Sequence, residues 1–424
     1  MVNVGRVKRV FLLAVFLLGG IILLFSNHMN YFKSKHSQTK SHIIEPIKEA
    51  VSLPATEAVA AVNSITELAV KPVSYNTHIF YYSWYGTPET DGQYYHWNHV
   101  YIPHWNSKIA HKFPSNTRHE PPDDIGANFY PSLGCYSSSD PLVISQHMSD
   151  IRNSGVGVLA LSWYPPGNAD EEGRPSDSLV PLLLDIANKF SIKVTFHIEP
   201  YKERTAVSVR SDIEYIMGTY SKHPAFYRYH EHTTPPTEKP LFYIYDSYHI
   251  SSGDWAQVLT PAGQHTIRGT ALDCIVVGLV VNKKDTDSIK SSGFDGFYTY
   301  FASRVFTYGS APSNWKQLKE VATDSNLLFI PSIGPGYIDT AVRPWNSVNT
   351  QDRRNGAYYS ENFLEAIKSG ADIISITSYN EWHEGTQIEP AIQKLKYLDY
   401  QPEEPDFYIH KTKELISIYE NSIT

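Results

Sequence analysis

Eight short runs rich in β-branched and aromatic residues recur along the chain, each too far from the next for simple hairpins. They are THIFYYSWY near 77–85, VGVLALSWY near 156–164, IKVTFHIEPY near 192–201 and PLFYIYDS near 240–247. CIVVGLVV near 274–281, FDGFYTYFAS near 294–303, NLLFIPSIGP near 326–335 and DIISITSYNEW near 372–382 complete the set. Most are apolar throughout rather than alternating, the pattern of strands buried on both faces. Amphipathic segments lie between several of them: PLVISQHMSDIRNSG, SLVPLLLDIANKF, SDIEYIMGTYSKH and ENFLEAIKSG. Strands of this kind alternating with helices imply a parallel sheet with both faces covered. Eight such units over residues 75–424 predict an α/β fold, a single (β/α)8 TIM barrel with long loops on its C-terminal face. A doubly wound open sheet is the alternative. It asks for a Gly-rich phosphate turn after the first strand, and YYSWYGTPETDG is no such turn.

A barrel of this type works at the C-terminal ends of its strands. Here those ends are polar and aromatic: Tyr82, Ser83, Trp84 and Tyr85; Ser162, Trp163 and Tyr164; His197, Glu199 and Tyr201; Tyr245 and Asp246; Tyr298 and Tyr300. The last strand ends in YNEWHEGTQIEP, which carries Asn380, Glu381, Trp382 and Glu384, with Glu389 close behind. Buried in a core, so many polar groups would all need partners; a wet, lined pocket accounts for them more simply. Two glutamates on such a rim suit glycoside hydrolysis, which needs one carboxylic acid for the leaving oxygen and a second carboxylate as base or nucleophile. Neighbouring acids in a partly apolar pocket push their pKa values apart, so one can stay protonated near neutrality. The bland alternative is that either glutamate caps a following helix. Glu199 paired with Glu381 is a second possible carboxylate pair.

Other chemistries fit less well. HEGTQ begins like a zinc-protease motif, but Gln387 stands where the second histidine is required. His96, His99 and His104 have loose spacing for a metal and lie in a loop dense with Trp and Tyr, so packing or sugar contacts suit them better. No G-x-S-x-G elbow is present for a nucleophilic serine. The formal net charge of -8 argues against a nucleic-acid partner. The 30 tyrosines suit a carbohydrate site, although most must serve packing. Cys135 and Cys274 are the only cysteines, and spacing does not say whether they pair. No N-x-S/T sequon occurs.

Arg6, Lys8 and Arg9 precede an uncharged apolar run from Val10 to Phe25. As a helix that run spans about 24 Å, short against a hydrocarbon core of about 30 Å but suited to thinner early secretory membranes. Leu24-Phe25-Ser26 makes a poor cleavage site, which favours an uncleaved anchor over a signal peptide. The basic flank sets the tail in the cytosol and the remainder in the lumen. The expected organisation is a tail at 1–9, a transmembrane signal anchor at 10–26, a polar stem at 27–74 and the catalytic domain at 75–424.

The motifs FYYSWYGTPETDGQYYHWNHVYIPHW, LSWYPPGNAD, FYIYDSY, GFDGFYTYFAS, FIPSIGPGYIDTAVRPWN and ITSYNEWHEGTQIEPA are long and unusual. On these, the chain from about His78 to past Tyr400 resembles the endo-α-1,2-mannosidases of glycoside hydrolase family 99, their Golgi-anchored animal members in particular. The resemblance implies a retaining enzyme of the Golgi membrane that uses no metal or other cofactor. Its substrates would be glucosylated high-mannose N-glycans, cut to release Glcα1,3-Man or longer glucosylated mannose. It implies that Glu381 deprotonates the mannose 2-hydroxyl, which attacks the anomeric carbon to give a 1,2-anhydro sugar, and that Glu384 is the acid. Glu199, Trp163, Tyr300 and Arg343 match sugar-subsite positions, with Trp163 as a stacking face and Arg343 as a partner of a catalytic carboxylate or a structural ion pair. Asp91, His96, Trp97 and Asn98 would form a loop over the leaving-group side, with Tyr82, Tyr245, Asn380 and Trp382 completing the site. A catalytically silent, lectin-like glycan binder is the other class, and the presence of both glutamates argues against it.

Overall fold

The computed structural model describes residues 73–231 and 237–423. The expected anchor and nearly all of the stem lie outside the described residues. Among the described residues no helix is long and apolar enough to cross a membrane. Pro72–Thr424 forms one compact unit, and its first strand starts at Ser74, one residue before the expected domain boundary.

All eight expected strands are present. They are β1 (Ser74–Tyr81), β2 (Val156–Trp163), β3 (Lys193–Ile198), β5 (Thr237–Ile244), β6 (Ile275–Leu279), β7 (Gly296–Tyr298), the pair β8 (Leu328–Ile330) and β9 (Ser332–Ile333), and β10 (Ile374–Ile376). Neighbours pair in parallel, in the order β8-β7-β6-β5-β3-β2-β1-β10-β9. Only Pro331 separates β8 from β9, so the two halves act as one broken stave and the ring closes. A proline has no N–H to give to a ladder, which explains the break. The sequence reading missed β4 (Arg228–Glu231), which pairs antiparallel with the start of β5. Its RYHE sequence carries no apolar run to mark it.

Eight helices follow the staves: α1 (Pro141–Asn153), α2 (Val180–Lys189), α3 (Ala206–Tyr220), α4 (Ser252–Leu259), α5 (Asp285–Ser292), α6 (Trp315–Asp324), α7 (Ala357–Lys368) and α8 (Phe407–Ile423). Their starts use standard chemistry. Asp140 accepts from the Leu142 N–H with Pro141 in the first turn, and Thr205 with Ser208 forms a capping box on α3.

Strand alternation divides the core in two. Ile79, Tyr81, Leu159, Leu161 and Phe196 face the helices. Phe80, Tyr82, Val158, Ala160, Tyr243, Val277, Tyr298 and Ile330 fill the barrel. Phe80 sits among His197, Tyr300, Tyr243 and Tyr298, with ring centroids 4.8, 5.2, 5.5 and 5.9 Å away. Cys135 and Cys274 are free thiols and do not pair. Replacing Phe80 by Ala should cost about 3–5 kcal/mol by denaturant unfolding. A loss below about 1 kcal/mol would mean the interior is not packed as described.

Candidate active site

The segment after β10 is stitched into the barrel before it reaches the two glutamates. Tyr379 N–H donates to Phe80 O at 2.9 Å, extending the pairing with β1. The Asn380 amide then acts as a stretch of backbone: Oδ1 accepts from Tyr82 N–H and Nδ2 donates to Tyr82 O, both at 2.8 Å. Trp382 is fully buried, and its Nε1 donates to Glu389 Oε2 at 2.8 Å and to the Tyr136 hydroxyl at 3.2 Å. Ile338 N–H donates to Glu384 O at 2.8 Å. Asn380 and Trp382, expected to touch substrate, instead build the turn from which the acids hang.

Glu381 is 4% exposed, and its Oε2 is buried with no protein partner. Burial, then the charge of Glu384, pushes its carboxyl well above the usual range, and Arg343 pulls it back. Glu384 is partly exposed and is pushed to about 7, by burial first, with Arg343 opposing and Asp339 and Glu199 adding to the rise. Arg343 Nη1 stands 3.2 Å from Asp339 Oδ2 and 3.9 Å from Glu384 Oε1, so it is at once a structural ion pair and the cation facing an acid. Asp339 is fully buried and also accepts from Tyr337 OH and Asn346 Nδ2, each at 2.9 Å. That anchor for Arg343 was not anticipated from sequence; its spacing of four from Arg343 was the available signal.

Glu199 faces the same cleft. Its Oε1 accepts from Ser162 Oγ at 2.8 Å and from His197 Nδ1 at 2.9 Å. Tyr82 and Tyr300 join hydroxyl to hydroxyl, and Tyr245 packs edge-on to Tyr300 at 4.8 Å. Burial foremost pushes all three phenols well above their ordinary range. The charges they feel show what they surround: Glu199 and Glu381 act on Tyr82, Glu384 and Glu199 on Tyr245, Glu384 and Glu381 on Tyr300. They therefore stay neutral donors. Tyr300 has a φ of 54°, unusual for a non-glycine residue. It is held there by Ser332 Oγ on its N–H and Thr377 Oγ1 on its carbonyl.

The other expected contacts, Asn98 apart, are corrected. Trp163 points away from the cleft because Ser162, its neighbour, points in. It is fully buried with its ring against Phe196 and Tyr215, and its Nε1 donates to Asp177 at 2.9 Å. Tyr164, the next inward position, is partly buried and feels Glu199 first among its neighbouring charges. Asp91 spends its oxygens on Arg174 and Ser139 through Oδ1 and on Thr87 N–H through Oδ2. Trp97 is fully buried against Tyr85 and donates to Tyr136 O at 2.8 Å. Asn98 is partly buried, with an Oδ1 that has no protein partner. His96 is buried, in contact with His383 and stacked on Trp84. His104 stacks on Phe113 and packs edge-on to Trp345. His99 turns its two nitrogens to Val100 O and Glu171. Among the described residues no group of His, Cys, Asp and Glu is arranged to hold a metal.

A cleft with two coupled carboxyls, one titrating near neutrality, neutral phenols and an arginine can move protons on and off sugar oxygens. Changing Arg343 to Gln removes the group that lowers Glu384, so its carboxyl titration, followed by infrared or carbon NMR, should move above about 7. A midpoint that stays put or drops would contradict the described contact.

The model of glycosyl hydrolase family 99 matches residues 72–421. The glycoprotein endo-alpha-1,2-mannosidase of Xenopus laevis is 52% identical over 347 residues, 81% of this chain and 77% of that protein. The glycoprotein endo-alpha-1,2-mannosidase-like protein of Homo sapiens is 52% identical over 340 residues, 79% of this chain and 74% of that protein. Among solved structures, the GH99 endo-alpha-mannosidase from Bacteroides thetaiotaomicron is 43% identical with a TM-score of 0.76, covering 83% of this chain and 99% of that one.

Proposed function

The chain belongs to glycosyl hydrolase family 99, and from that premise we propose that it is a retaining endo-α-1,2-mannosidase acting on glucosylated high-mannose N-glycans. The products are Glcα1,3-Man or its longer glucosylated forms. The observation that carries the reading is the buried, unpartnered Oε2 of Glu381 beside Glu384, whose carboxyl titrates near 7. A sugar hydroxyl donating to Oε2 supplies the missing partner, and hydrogen bonding to the charged form favours ionisation of Glu381. The proton on Glu384 is then available to the departing glycosidic oxygen.

In this reading the 2-hydroxyl of the mannose gives its proton to Glu381, and O2 attacks the anomeric carbon. The glycosidic bond breaks as its oxygen takes the proton of Glu384, leaving a 1,2-anhydro sugar. Glu384 next removes a proton from water, which opens the epoxide at the anomeric carbon while Glu381 returns a proton to O2. Two inversions give net retention. Arg343 keeps Glu384 from rising further, so that it can be both acid and base. The proposed setting is the Golgi membrane, single-pass and type II with the barrel luminal. It rests on Arg6, Lys8 and Arg9 before the apolar run Val10–Phe25.

Incubation with a monoglucosylated high-mannose glycan should release a Glc-Man disaccharide, identified by mass. Glu384→Gln should lower the rate about 10²- to 10⁴-fold. Free single hexoses would mean an exo-acting enzyme, and a glycan bound but uncut by the parent would mean a lectin. With Glu381 raised well above its usual range, the free pair holds two protons in acid while the reaction needs one, so kcat/KM should climb as pH rises through about 7 and fall again once the second proton is lost. A flat profile from pH 6 to 9 would remove Glu384 from that role.

A further inference from the structure

His383 sits inside the catalytic turn, next to Glu384, and the acid–base scheme gives it no task. Its Nδ1 lies 2.6 Å from Gly126 O. A carbonyl only accepts, so Nδ1 carries the hydrogen. Burial first, then the neighbouring histidines, hold the ring well below its ordinary pKa, so it is neutral and its Nε2 offers a lone pair. Facing that lone pair at 3.2 Å is His96 Nδ1, which must therefore donate. The other nitrogen of His96, Nε2, lies 3.0 Å from Asp170 Oδ2. Asp170 uses its second oxygen to accept the N–H groups of Glu172 at 3.0 Å and Arg174 at 2.9 Å, so it acts as an acceptor throughout. His96 thus bridges His383 and Asp170 with its two ring nitrogens.

The surroundings reserve His96 for this task. His99, whose ring is 4.8 Å from that of His383, is occupied by Val100 O and Glu171 Oε1. At Gly126 a Cβ would come within 2.8 Å of His99 Cβ, so only glycine brings this carbonyl to His383. His96 adopts a φ of 61°, and its ring lies flat on Trp84, centroids 4.4 Å apart. A residue wanted only for stacking needs neither that backbone conformation nor polar partners on both ring nitrogens.

We infer that His96 is a positioning residue for the proposed reaction: by bridging His383 and Asp170 it fixes the turn between Glu381 and Glu384 and ties it to the loop between β2 and α2. The inference rests on the acid and base roles given above. A displacement of about 1 Å in such a turn is enough to cost about 10²-fold in rate.

Three variants of the full chain test it. His96→Phe keeps a ring over Trp84 and removes both ring nitrogens. His96→Asn leaves an amide where Nδ1 stood, so it can still donate to His383. His96→Gln reaches toward Asp170 and loses the His383 bond. His96→Phe should lower kcat about 10- to 100-fold with KM within about twofold. His96→Asn should recover most of that loss and His96→Gln should not. Nitrogen NMR of the ring should show the Nδ1–H form of His383 in every variant, because Gly126 O holds it, with an Nε2 resonance shifted by its hydrogen bond in the parent and in His96→Asn but not in His96→Gln. Unchanged kcat in His96→Phe, equal rescue by Gln and Asn, or a rise in KM alone would overturn the inference. If His96→Phe does not fold, the Asn and Gln pair decides. No sugar release from the parent would instead remove the proposed reaction, and the positioning role with it.

Discussion

A carboxylate withdrawn from water must find donors or keep its proton, and Glu381 has been withdrawn almost completely with one oxygen left unanswered. Leaving such a group unsatisfied costs free energy, so the turn that carries it must be over-determined by its surroundings. The hydrogen bonds around it show this. Asn380 splices the turn to β1, Trp382 is pinned by Glu389 and Tyr136, and Ser378 Oγ accepts the Glu381 N–H at 2.8 Å. On the far side Arg353 donates to Gly385 O at 2.9 Å and to Gln387 O at 2.8 Å. Its guanidinium packs against the rings of Phe129, Tyr400 and Tyr408 at 4.6 to 4.9 Å. Most of the aromatic and amide residues near the acids thus hold the turn rather than touch a ligand.

That division explains what could be read from sequence. The staves were legible because strands buried on both faces are continuously apolar, and eight of them leave little choice of architecture. The acids and Glu199 were legible because a carboxyl at a strand end has few structural uses. The aromatic contacts were not. Proximity along the chain grouped Trp163, Trp97 and Trp382 with the site, but direction alternates residue by residue, and a continuously apolar strand hides its own phase. In β2 the phase is set by Ser162, whose hydroxyl meets Glu199, so Trp163 turns to the helices and Tyr164 to the cleft. Asn380 departs from expectation for a related reason: a polar side chain on the rim suits a substrate contact, whereas this one answers the backbone of Tyr82. β4 escaped because its pairing owes nothing to an apolar pattern.

The charges form a graded set. Asp339 is sealed and holds Arg343; Arg343 in turn faces Glu384 at the longer distance of 3.9 Å. A tighter pair would hold Glu384 ionised and useless as an acid, while no pair would leave it protonated and useless as a base. The intermediate contact, set against burial and the charges of Asp339 and Glu199, leaves the carboxyl near 7, where either state is within about 1.4 kcal/mol of the other for one pH unit either way. Neutral phenols from Tyr82, Tyr245 and Tyr300 add hydrogen bonds without adding a competing charge.

Glycosidases that use a facing pair of carboxyls hold them on opposite sides of the sugar, at separations that leave room for a nucleophile or a water. Here both acids hang from one turn, three residues apart, and any movement of that turn carries both together. Such an arrangement suits groups that serve neighbouring atoms of one sugar, the 2-hydroxyl and the glycosidic oxygen that flank the anomeric carbon, rather than its two faces. In the proposed reaction the protein need not supply a nucleophile, since the substrate carries it at the adjacent carbon. What it must supply is a fixed relation between base and acid, and a fixed turn provides that more directly than two independent strands can. The same reasoning makes the histidine beside Glu384 the natural point at which to hold the turn, because it lies between the two acids and a single bond to it constrains both.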